Sequence, residues 1–63
     1  MKYWEVEING NHLRIEWNES ATFNIQIPVQ GEWVDIHCFT NYNIDSDWKA
    51  YEHAMEVIKG WYK

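Results

Sequence analysis

Cysteine and proline each occur only once in this chain of 63 residues, as Cys38 and Pro28, and glycine only three times. A single cysteine excludes an intramolecular disulfide framework and leaves no thiol cluster for zinc. It points to a reducing, cytoplasmic setting. Gly10, Gly31 and Gly60 are spaced as punctuation, so no glycine-rich phosphate loop is expected. Basic residues are also few, five against ten carboxylates, for a net charge of -5. Lys2, Arg14, Lys49, Lys59 and Lys63 are scattered, so no basic stripe opposes the repulsion of a phosphate backbone, and general nucleic-acid binding is disfavoured. No apolar run is long enough for a signal peptide or a membrane span, and no membrane role is expected.

Aromatic residues, in contrast, are concentrated, with five Trp, four Tyr and two Phe. They bury large areas with few rotatable bonds, which gives so short a chain a core. Residues 1–63 are read as one domain.

Trp4, Val6 and Ile8 alternate with Tyr3, Glu5 and Glu7, the period of a half-buried strand. Asn9-Gly10 is a type I′ hairpin signal, and a two-residue loop there sets Val6 opposite Leu13, Trp4 opposite Ile15 and Glu5 opposite Arg14. Residues 12–17 form the second strand, with Leu13, Ile15 and Trp17 inward. After a polar turn, residues 22–27 form the third, with Phe23, Ile25 and Ile27 inward, and Pro28 ends its ladder. Beyond Gln30-Gly31, residues 32–40 form the fourth. Its simplest alternation sends Val34, Ile36 and Cys38 inward and Trp33, Asp35, His37 and Phe39 outward.

Residues 41–44 connect to a helix over residues 46–59, with Asp45, Ser46 and Asp47 supplying capping oxygens and Gly60 as the C′ residue. Trp48, Tyr51, Met55 and Ile58, with Ala54, form its apolar face, and Lys49, Glu52, His53, Glu56 and Lys59 its polar face. The expected fold is α+β: a four-stranded antiparallel β-meander with one C-terminal α-helix packed across one face.

Catalysis finds little support in this pattern. His37 and Cys38 are adjacent, so they point to opposite faces, and Cys38 reads as a core thiol. His12, His37 and His53 fall on separate elements, and Asp35 with His37 supplies only two ligands. No metal and no cofactor are expected. Glu5 and Glu7 share an open face with nothing to raise a pKa, the ordinary setting of solvated acids.

Trp33 and Phe39 are the aromatics that this alternation leaves outside, on a strand at the edge of the meander. The sequence therefore points to a non-enzymatic interaction protein that regulates or inhibits a larger protein machine. Trp33 and Phe39 would be its apolar anchors, Asp35 and His37 would flank them, and Glu5, Glu7 and Glu16 would be electrostatic guides. The partner is a second protein, or a second copy joined through the fourth strand. Small acidic inhibitors from phages and mobile elements, some mimicking nucleic acid, are the analogy that size and charge offer. The competing reading is a single-strand nucleic-acid binder that stacks bases on Trp33, His37 and Phe39.

Overall fold

A computed structural model describes residues 1–62. Strands β1 (Lys2–Ile8), β2 (Asn11–Trp17), β3 (Thr22–Val29) and β4 (Glu32–Thr40) form one antiparallel sheet in the order β1-β2-β3-β4, followed by helix α1 (Asp47–Trp61). This is the ββββα meander the sequence predicts. Asn9 and Gly10 both take positive φ, 51° and 78°, and the β1–β2 register pairs Val6 with Leu13, Trp4 with Ile15 and Glu5 with Arg14.

One face of the sheet is covered by α1. Leu13, Ile15, Trp17, Phe23 and Ile25 meet Ala50, Ala54 and Ile58 in the core. Across it runs an aromatic row with one member per strand: Trp4 lies 6.3 Å from Trp17, Trp17 6.0 Å from Phe23, and Phe23 4.9 Å from Phe39. Such pairs add about 0.5–1.5 kcal/mol each beyond the area they bury. The buried Nε1–H of Trp17 has no acceptor among the described residues, so this side chain contributes through its ring alone.

The expected geometry of β4 is corrected by a bulge. Ile25 pairs with His37 but Gln26 pairs with Asp35, which leaves Ile36 without a partner and 47% exposed. Before the bulge, Trp33 and Asp35 face outward as expected, whereas Val34, expected inward, lies opposite Ile27 but is 41% exposed. After it the alternation inverts. His37 and Phe39 turn to the helix side, where Phe39 stacks on Phe23, and Cys38 becomes an exposed residue opposite Asn24. Cys38 is therefore not in the core, and Phe39 is a partly buried neighbour of the core rather than an outward anchor.

Pro28 ends only half of its ladder. Pairing with β2 is complete at Gln26, whereas β3 continues beside β4, with Pro28 opposite Trp33. The residue that cannot donate thus sits where β3 has a single neighbour.

The helix is rotated from the expected orientation. Ala50, Ala54 and Ile58 are buried, at the i, i+4, i+8 spacing of one face, while Trp48 is 63% exposed and Tyr51 37%. His53, expected on the polar side, lies 5.8 Å from Phe23 and 5.5 Å from Phe39, and its Nε2 is 3.3 Å from Asn41 Nδ2. Ser46 is the N-cap residue, but its hydroxyl makes no capping hydrogen bond; Asp45 and Asp47 instead pair with Lys49 and Lys2. Gly60 is helical, so the helix continues one residue past it, to Trp61.

Gln30, the first residue of the turn into β4, holds φ at 52°, and Gly31 follows at 83°. A side chain like glutamine's pays for this left-handed backbone, which asparagine adopts more readily. Gln30→Asn is expected to stabilise the fold by about 0.5–1 kcal/mol, read as a thermal midpoint several degrees higher. An unchanged midpoint would mean that the turn carries no such strain.

Candidate protein-binding surfaces

The second face of the sheet has no covering layer, and its side chains follow from strand alternation. One row across the four strands is Glu5, Arg14, Gln26 and Asp35, and the next is Tyr3, Glu16, Asn24 and Cys38. The guanidinium carbon of Arg14 lies 4.5 Å from the Tyr3 ring centroid and 4.7 Å from that of Trp33, so the cation is held between two aromatic side chains from β1 and β4. Its Nε donates to Gln26 Oε1 at 2.7 Å, and Gln26 Nε2 donates to Asp35 Oδ1 at 2.6 Å. This chain explains why Gln26, a polar residue on the open face, is only 6% exposed.

Glu5 contacts His12 Nε2 at 3.0 Å and Glu16 accepts from Asn24 at 3.0 Å. Among the described residues Arg14 makes no ion pair. The carboxylates of Glu5, Glu16 and Asp35 are thus positioned by neighbours, with Glu7 beside them, and none is neutralised by the one strong cation in their midst. Of the residues singled out in the sequence, Trp33, Asp35, Glu5, Glu7 and Glu16 are brought together here. His37 and Phe39 are not: they occupy the opposite side of β4, where His37 lies 5.3 Å from Trp61. A stacking platform of Trp33, His37 and Phe39 is therefore not assembled. Tyr3 and Arg14 complete the surface, and the cross-strand position of Arg14 beside Glu5 was the available signal.

A second surface went unrecognised in the sequence because Trp48 and Tyr51 read as core. Lys2, Trp4, Asp47, Trp48 and Tyr51 line a shallow cleft of about 360 Å³ between β1 and α1. Trp4 closes its floor against Tyr51, with ring centroids 5.8 Å apart. The hydrogen bond from Lys2 to Asp47, together with the charge of that carboxylate, raises the Lys2 pKa above its usual 10.5.

The chemistry-bearing residues are dispersed. Among the described residues no three His, Cys, Asp or Glu side chains are grouped to hold a metal ion, and Cys38 and His37 project from opposite faces. No described helix is long and apolar enough to cross a membrane. No family model, curated protein or solved structure matches this chain.

Proposed function

We propose that this chain is an acidic, non-enzymatic interaction protein that regulates or inhibits a larger protein by occupying its surface with the open face of the sheet. The observation that carries the reading is the Tyr3–Arg14–Trp33 stack, set among Glu5, Glu7, Glu16 and Asp35. Aromatic and arginine side chains are the groups that most often dominate binding energy, and here they are held in place before a partner arrives. The surrounding carboxylates speed encounter with a basic surface and repel phosphate backbones. The size and the charge of -5 fit the small acidic inhibitors of phages and mobile elements.

The test is affinity capture from the native cells with the wild-type chain, followed by measurement of the captured partner against variants. Trp33→Ser is expected to weaken association at least tenfold while costing about 1 kcal/mol of stability, since it removes one side of the cation–π stack. Glu5→Gln with Glu7→Gln is expected to slow association and reduce its salt dependence. A partner indifferent to both changes would overturn the reading. Binding of labelled single strands at sub-micromolar concentrations and physiological salt would replace it with base stacking on Trp33.

A further inference from the structure

The most exposed tryptophan of α1 lies on the other side of the molecule from that stack. Trp48 and Tyr51 border the cleft against β1, and they also border a second depression of about 450 Å³ lined by Glu52, Met55, Glu56 and Lys59. The two hollows adjoin at Trp48 and Tyr51, and together they make a groove-like surface that follows α1 from Asp47 to Lys59. At 1.5 Å per residue its length is about 18 Å, or roughly three turns of a helix laid alongside.

The groove is polarised along its length. At the end near β1 the charges are already matched: Asp47 is paired with Lys2, and Lys49 is held by Asp45 at 3.2 Å, with its ammonium 5.6 Å from the Trp48 ring. That end is left apolar, with Trp4, Trp48 and Tyr51 as its surface. At the other end Glu52 and Glu56, one turn apart on the same helix, line the hollow together with Lys59, and none of the three makes an ion pair among the described residues, so two carboxylates stand against one ammonium there. Like charges at this spacing oppose one another, and with Lys59 as the one ammonium beside them this end keeps a net negative charge that a cation supplied from outside would offset.

We propose that this groove is a docking site for a basic amphipathic helix of a partner protein. Apolar side chains of that helix rest on Trp48 and Tyr51, and Lys or Arg about one turn further along reach Glu52 and Glu56. Charge complementarity selects this occupant. A phosphate backbone or an anionic membrane meets a surplus of carboxylate over ammonium at Glu52, Glu56 and Lys59, and a second copy brings a further charge of -5 to the same place. The site is independent of the open sheet face, and Trp33 takes no part in it.

A displayed library of random peptides about four helical turns long, selected on the full chain, tests this without presupposing the partner. Enriched peptides are expected to combine apolar residues at i, i+3/i+4 spacing with Lys or Arg, and to shift the NMR resonances of Trp48, Tyr51 and Met55. Trp48→Ala is expected to weaken the best of them at least tenfold. Glu52→Gln with Glu56→Gln is expected to do the same and to abolish the salt dependence, while Trp33→Ser leaves affinity unchanged. Cooperative thermal unfolding of each variant confirms that the fold persists. Any of three results would overturn the proposal: no enrichment, enriched peptides without basic residues, or binding indifferent to Trp48.

Discussion

Phe23→Ala is expected to remove roughly half or more of the stability of the fold. Phe23 is fully buried at the centre of the aromatic row, 6.0 Å from Trp17, 4.9 Å from Phe39 and 5.8 Å from His53, so its loss empties a space bounded by three other rings. Truncation of a buried phenylalanine costs about 3–5 kcal/mol. At roughly 0.05–0.15 kcal/mol per residue, a fold of this size holds only about 3–9 kcal/mol in total. The measurement is a urea titration followed by near-ultraviolet circular dichroism. A variant within about 1 kcal/mol of the wild type would show that the rings rearrange to fill the gap and that the row is not the centre of the core.

Phe39→Ala and Trp33→Ala are expected to behave differently, although strict alternation would place both residues on one face. Phe39 stacks on Phe23 with the ring planes 2° apart, and its removal should cost about 2–3 kcal/mol, below the range for a fully buried ring because Phe39 is only partly covered. Trp33 lies on the uncovered face, and its removal should cost about 1 kcal/mol through the lost contact with Arg14. A native-state thiol assay reads the same geometry. Exposed Cys38 should be modified by a soluble reagent without prior unfolding, whereas an unbulged strand would bury it and protect it. Equal costs for the two aromatic truncations, together with a protected thiol, would rule out the bulge at Ile36.

The fold itself was legible because its signals are local and agree with one another. The Asn9-Gly10 turn, the Glu5–Arg14 pairing and the alternation through Leu13, Ile15 and Trp17 leave little freedom in the first hairpin, and the register is the expected one. The fourth strand offers no such redundancy. Val34, Ile36 and Cys38 form as good an apolar set as one extra residue and an inverted second half, and alternation alone does not mark where a strand gains that residue. The trace of it was the cost of leaving Phe39 outside, a cost that a bulge at Ile36 removes.

The helix was misoriented for a related reason. The three- and four-residue spacing of Trp48, Tyr51, Met55 and Ile58 marks an apolar face, yet the face that rests on the sheet is the one whose small residues, Ala50 and Ala54, permit close approach. Once Ala50 is placed inward, His53 follows toward Phe23 and Phe39, and Trp48 turns out to solvent. The binding surfaces inherited both errors: the open face lost Phe39 and His37 from its expected members, and the groove along α1 went unseen.

Trp4 and Trp17, 6.3 Å apart and within 21° of parallel, sit on neighbouring strands, so only closure of the first hairpin brings them together. At this separation the excited states of two indoles are not independent. Where the in-plane transition dipoles of the two rings cross, their coupling is expected to add a pair of oppositely signed bands to the far-ultraviolet spectrum, in the region where the peptide backbone absorbs. Strand content read from that spectrum will be distorted, but the same bands give the β1–β2 hairpin a built-in optical reporter that requires no label. Its signal should disappear when either indole is replaced, and in refolding it should time the meeting of the first two strands separately from the docking of α1.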